Sequence, residues 1–403
     1  MMTMTTRLGG SNAATELQML SLWPSRVDPI SLAERQARIE KARALMRREG
    51  WDALFIGAGH SLRYFAGVPW GASERLVGML LLPTGEPIYI CPTFERGSFE
   101  ADLQIPGDIR LWEEDESPSA LVGASIPALS GVLGIDPGIS FQFANRIASA
   151  IAVAGWTIAD GAAAVDGCRM IKSPAELALL QEAKNITLEV HRRTASILRD
   201  GISASEVRKF IDDAHRALGG QGSSFAIVQF GNSTAFPHGL PGESYLHEGD
   251  VVLIDIGTNV DGYNSDITRT YFWGNAPDEV RRIWDLEKEA QQAAFDAVEP
   301  GRPCEDVDAA ARRVLEMGGL GPDYRLPGLP HRTGHGVGLA LHEPAYLVRG
   351  DKTQLAPGMC FSNEPMIVIP NKFGIRLEDH FYVTETGAQW FTQPQPSIDR
   401  PFG

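Results

Sequence analysis

Hydrophobic positions change their spacing near residue 165. In LAERQARIEKARALMRREG (32–50) they recur every three to four residues and the run stops at Gly50, which predicts a helix closed by a glycine. Short apolar runs follow at 52–58 (DALFIGA), 77–83 (VGMLLLP), 86–91 (EPIYIC) and 131–136 (GVLGID), with Thr84-Gly85 as a turn. Runs of that length bounded by turn residues read as strands, and residues 31–165 as a small α/β domain. Residues 1–30 are polar and irregular and read as a tail. Beyond 165 the helical signals strengthen. Ser173, Pro174 and Glu176 form a capping-box start for a long helix to about Gly201, and Ser203 with Glu206 repeats it for a helix to about Leu218. Further helices fit 278–298 and 305–317.

Between and after these helices lie two hairpin patterns with acids in their arms. In VVLIDIGTNVDGYNSDITRTYF an apolar run and a β-rich run flank a turn region from Thr258 to Gly262. A loop over 259–262 sets Tyr263 against Thr258 and Asp266 directly opposite Asp255. In GMCFSNEPMIVIPNKFGIRLEDHFYVT the turn spans Pro370 to Gly374, and a five-residue loop sets Glu364 against Glu378 and Met366 against Arg376. Facing residues on paired strands have Cβ atoms about 4.5–5.5 Å apart, which suits carboxylates sharing two metals roughly 3.5–4 Å apart. His335 adds an imidazole within HRTGHGVGLALHE, whose glycines permit tight turns. Each acid alone would read as a surface or turn carboxylate. Brought together without cations the four would repel, so the ordered set points to divalent metal. Imidazole beside carboxylates suits Mn, Co, Fe or Zn better than Mg or Ca. The stretch lacks the His-Glu-x-x-His spacing of a mononuclear zinc protease.

Composition narrows the setting. No apolar stretch in the 403 residues reaches the roughly 18–20 needed to span a membrane. A formal charge of −15 with no basic cluster argues against a nucleic-acid or anionic-membrane surface. The Met-Met-Thr-Met-Thr-Thr start lacks secretory features, and Cys91, Cys168, Cys304 and Cys360 have neither CxxC spacing nor disulfide-scaffold density. A cytoplasmic protein with reduced thiols is the expectation.

PHG at 237–239, DIGTNVDGYNSDITRT at 255–270, GHGVGLALHEP at 334–344, NEP at 363–365 and RLED at 376–379 together resemble the successive signatures of the pita-bread metallopeptidases. Within that family the chain is most similar to the Xaa-Pro peptidases, the prolidases and proline aminopeptidases. The resemblance covers roughly 165–403 in motif detail and the preceding region more loosely, including SLRYFAGV at 61–68. It implies an α/β creatinase-like N-terminal domain over 31–165 and an α+β pita-bread catalytic domain over 166–403. It also implies a homodimer, in which a loop bearing Trp70 reaches a neighbour's site unless that residue simply packs.

By the same resemblance Asp255 chelates one of two divalent ions, Asp266 and Glu378 bridge both, and His335 and Glu364 complete the ligand set of the second ion. Mn or Co is expected first, Zn or Fe next. A water between two dications gives a hydroxide near neutral pH. Glu364 would take and return its proton, with His342 stabilising the oxyanion. His238 would face the substrate near its carbonyl or terminal amine, and His331 and Arg376 would shape the proline pocket. Arg376 has an alternative role in orienting Asp255. His380 is assigned to packing or solvent. The expected substrates are short proline-containing peptides. The family's Glu-Pro-Gly-Ile-Tyr appears here as Glu-Pro-Met-Ile-Val, and a bulkier Met366 opposite Arg376 would narrow the pocket toward dipeptides. Cleavage of longer Xaa-Pro peptides and a metal-dependent lyase of the same fold, of the DMSP type, are the alternatives.

Overall fold

The computed structural model describes residues 8–24, 27–126 and 130–402, and the chain divides into two compact units. One spans Ile30–Arg169. Its six-stranded sheet runs, edge to edge, Asp108–Trp112, Ile88–Pro92, Gly78–Leu81, Ala53–Gly57, Gly131–Ile135 and Trp156–Asp160. Ala53–Gly57 is buried at every position, which explains its unbroken apolar run. Helix Leu32–Glu49 starts where the Ser31 hydroxyl accepts from the Glu34 amide and ends at Gly50, in the left-handed region at φ 73° that glycine enters without a Cβ clash. Trp70 lies against Phe99, ring centroids 6.1 Å apart. Two strands and the helix Phe141–Ala152 were not expected; Asp108–Trp112 and Trp156–Asp160 are half-exposed edges whose mixed residues carry no clear period.

The second unit holds residues 170–402 with 8–24 and 27–29. Of the tail expected over 1–30, residues 1–7, 25 and 26 lie outside the described residues. The remainder corrects the expectation: Ala13–Gln18 is helical, capped by Asn12, and Leu17, Leu20 and Trp23 pack on the core around Val207, Phe210 and Ile211. Helix Pro174–Ile197 carries the complete Ser173–Glu176 capping box, and Ala204–Ala217 repeats it with Ser203 and Glu206. Helices Asp278–Asp296 and Cys304–Met317 bury Trp284, Ile283, Val307 and Leu315 in a core shared with Phe361, Ile367 and Phe381. Among the described residues no helix is long and apolar enough to cross a membrane, and all four cysteines are buried thiols outside any disulfide.

Both acid-bearing segments are hairpins. In the first, Val251–Gly257 pairs antiparallel with Ile267–Phe272, but Asp255 faces Thr268, not Asp266. The loop is shorter than expected: Val260 pairs with Tyr263, leaving only Asp261 at φ 47° and Gly262 at φ 83°. Two positive-φ residues make the tight turn that matches strand twist, and Asp-Gly is its strongest sequence signal. The register therefore moves by two residues, which keeps Asp255 and Asp266 on one face. In the second, Met366 faces Arg376 as expected, around a three-residue loop, not five, because Ile369 pairs with Phe373. The same register resumes outside this hairpin, where Asn363 faces Asp379 and Ser362 faces His380. Glu364 and Glu378 sit opposite each other in the gap between the two ladders.

Candidate metal centre

The gap explains how the acids are aimed. Without each other's backbones to bond, the Glu364 amide donates to the Thr333 carbonyl at 2.8 Å and the Glu378 amide to the Thr268 carbonyl at 3.2 Å. Glu364, Glu378, Ser362 and His380 alternate onto one face of the paired strands. His335 is delivered by the short strand Gly334–Gly336, where a Cβ at Gly334 would sit 2.1 Å from the Ser362 carbonyl, so only glycine allows so close an approach. The His335 amide donates to the Ser362 hydroxyl, and its Nδ1 lies 3.0 Å from the Gly336 carbonyl, leaving Nε2 to face the acids.

Nε2 of His335 stands 3.1 Å from Glu364 Oε1 and 3.8 Å from Asp266 Oδ2. Donor atoms of Asp266, His335 and His342, of His335, Glu364 and Glu378, and of Asp266, Glu378 and His380 form three groups, each with all atoms within 4.8 Å. Asp255 joins from its strand: Arg376 Nη2 donates to its Oδ2 at 2.5 Å, while Arg376 Nε reaches Thr268 Oγ1 at 3.1 Å and Nη1 the Pro237 carbonyl at 3.3 Å. The structure thus engages Arg376 in orienting Asp255, the second of its two expected roles.

Charge is badly balanced in the protein alone. Burial, then Glu378, Asp255 and Glu364, raise the Asp266 carboxyl well above the usual range. Burial, then Glu364 and Asp255, do the same to Glu378. Burial also raises Asp255 against the pull of Arg376. At Glu364 burial pushes up, but the His335 hydrogen bond and charge, with His331 and Arg376, outweigh it and hold the carboxyl at about 2. Asp255 Oδ1, Asp266 Oδ1 and Glu378 Oε1 are buried without a hydrogen-bond partner. Buried acceptors left unpaired are costly, and converging carboxylate oxygens of this kind suit divalent cations. The donor set fits two metals.

The remaining expected residues lie around this centre with different exposure. His342 is exposed on one side and packs against the His335 ring, centroids 3.9 Å apart; burial and His335 lower it to about 4. His331 is half-buried with its Nε2 unpartnered, and burial lowers its pKa, opposed by nearby Glu364. His238 is exposed, lines a cleft of about 280 Å³ with Arg208, Gln229 and Glu243, and lies near enough to His342 to act on its charge, while the adjoining Pro237 carbonyl accepts from Arg376. Met366 and Val368 are fully buried members of the hydrophobic core, and Met366 Cε lies over Gly374. The expected narrowing of the pocket by Met366 is therefore not what the packing produces.

Three supports escaped the sequence reading. Thr268 donates to Glu378 Oε2 at 2.8 Å while accepting from Arg376, a role that follows once the Asp-Gly turn sets it opposite Asp255. Arg269 forms a buried pair with Asp379 at 2.7 Å and donates to the Glu378 carbonyl at 2.9 Å, fixing the Glu378 backbone. His380 takes the first of its two expected places, packed and fully buried, but on the face that carries Glu364 and Glu378. Its position two residues after Glu378, on the same strand face, was the available signal.

Comparison with known proteins agrees with this geometry. The profile of metallopeptidase family M24 matches residues 178–385, and that of the creatinase/prolidase N-terminal domain residues 38–171. A probable dipeptidase PepE of Mycobacterium tuberculosis is 34% identical over 354 residues, covering 87% of this chain and 92% of that protein. The crystal structure of dipeptidase PepE from Mycobacterium ulcerans superposes with a TM-score of 0.83 at 33% identity, covering 91% of this chain and 97% of the other. A prolidase from Thermococcus sibiricus gives 0.81 at 29% identity, covering 91% and 98%.

Proposed function

We propose, because this chain belongs to metallopeptidase family M24, that it is a two-metal dipeptidase hydrolysing the bond before proline in Xaa-Pro dipeptides. The observation carrying this reading is the buried convergence of Asp255, Asp266, His335, Glu364 and Glu378 with three unpartnered carboxylate oxygens. Dipeptide preference is supported by the relatives named dipeptidase and prolidase.

Two divalent ions held there would supply Lewis acidity, making a water acidic near neutral pH and polarising the scissile carbonyl. Mn or Co comes first for this mixed carboxylate–imidazole set. The protein's own groups handle the protons. Glu364, kept ionised beside His335, takes the proton from the attacking water and passes it to the departing proline nitrogen. That nitrogen belongs to a tertiary amide without an N–H, so it must gain a proton to leave and offers none for recognition. His342, neutral and on the open side of His335, donates to the developing oxyanion. His331, with Nε2 unengaged, receives the proline end of the substrate. His238 contacts the other end, and Arg376 acts through Asp255.

The test removes metal, restores Mn or Co separately, and follows free proline from Xaa-Pro dipeptides and from Xaa-Pro-Yaa tripeptides. Metal-dependent release from dipeptides alone is expected. Cleavage of both classes would make the enzyme an aminopeptidase, and cleavage of neither with metal bound would move the reading to a lyase.

A further inference from the structure

His380 occupies an unusual position for a core histidine. It is fully buried, and both ring nitrogens lack a hydrogen-bond partner. A buried polar group left unpaired loses its hydration without compensation, so a nitrogen in that state calls for a partner beyond the protein. The strand explains where the ring points. His380 follows Glu378 by two residues and faces Ser362 across the ladder, so it shares the face that carries Glu364 and Glu378.

The spacing then distinguishes two kinds of partnership. Nε2 of His380 stands 3.6 Å from Glu378 Oε1, itself buried and unpartnered. That is too long for a hydrogen bond, whose N–H···O distance is about 2.7–3.2 Å. It suits two donors sharing one ion at about 2.0–2.2 Å each, because a tetrahedral angle between such bonds separates the donors by about 3.3–3.6 Å. His335, the imidazole already assigned, stands at a similar 3.8 Å from Asp266 Oδ2. The third atom of the group belongs to Asp266, within 4.8 Å of both others.

We propose that His380 is a metal ligand, giving the ion held by Asp266 and Glu378 a nitrogen donor in addition to His335. This inference rests on the two-metal reading and adds a residue to it. The two imidazoles differ in support: His335 Nδ1 meets the Gly336 carbonyl, whereas His380 Nδ1 has no orienting partner among the described residues. His380 is accordingly the weaker donor. A second nitrogen also shifts the centre away from an all-oxygen environment on that ion and toward Co or Zn over Mn.

The experiment is a cobalt titration of metal-free protein, followed by heat and by visible absorption, for the parent and for His380→Gln. Two ions are expected to bind the parent, with one at least about tenfold weaker in the variant and its absorption band shifted. Identical affinities and spectra, with two ions still bound, would overturn the role of His380 and leave the two-metal reading standing. Failure of the parent to bind cobalt would overturn both. Should His380→Gln not fold, proton NMR of the cobalt-loaded parent decides: two solvent-exchangeable, strongly shifted imidazole N–H signals are expected, and one alone would assign binding to His335 only.

Discussion

The hairpin carrying Asp255 and Asp266 turns in two residues and keeps one acid inside its ladder, opposite Thr268. The hairpin carrying Glu364 and Glu378 turns in three residues and leaves both acids where pairing lapses. An acid inside a ladder has its backbone satisfied by its partner strand, so its side chain needs a separate hold, and Asp255 has Arg376. An acid in a gap gains its hold through its own amide, as Glu364 does on Thr333 and Glu378 on Thr268. The first arrangement relies on side-chain charge, the second on main-chain geometry.

That contrast can be broken at its strongest point by Glu364→Ala. Because the proposed mechanism has this residue both bind metal and move the proton, kcat on a Xaa-Pro dipeptide should fall by about 10³ or more, with loss of one bound ion. Turnover within tenfold of the parent would remove Glu364 from the chemistry. Next comes Arg376→Met, which strips Asp255 of its buried partner. Urea unfolding of the metal-free protein should lose about 3–5 kcal/mol, and metal should restore much of it by replacing the missing charge. A loss under about 1 kcal/mol would mean that Asp255 is held otherwise.

A smaller effect sharpens the link between the two hairpins, since Thr268 of the first touches Glu378 of the second. Thr268→Val keeps the shape and removes the hydroxyl, and calorimetry should report metal affinity weakened about 10–100-fold. Unchanged affinity would reduce the threonine to packing. The mildest test is at the tips. Gly262→Ala forces a side chain into φ 83° and should cost about 1–2 kcal/mol in thermal unfolding, whereas Asn371→Gly, at φ 62° in the second tip, should be neutral or slightly stabilising. Equal effects at both would erase the difference in turn chemistry.

Much of this centre could be read from the chain, and the failures have physical causes. The capping boxes at Ser173 and Ser203 fixed two helix starts because that signal is local. The register of the second hairpin followed from side-chain parity, and a loop of three or five residues about the same centre gives the same pairs. The first hairpin went astray because Asp261-Gly262 was absorbed into a longer loop, although that dipeptide sets the tight turn by itself. For His380 packing and solvent both stayed open because burial depends on what packs over a strand, in this case elements distant in sequence, and only its parity with Glu378 was local. The segment Ala13–Gln18 looked like a tail because its few apolar residues gain meaning only against Phe210 and Ile211. Met366 was misjudged for the same reason.

The two glutamates that hang from foreign carbonyls have a further consequence. Their main chains are tied off by the Thr333 and Thr268 carbonyls, so the fold itself sets where both carboxylates stand, and whatever displaces either threonine's backbone carries a carboxylate with it.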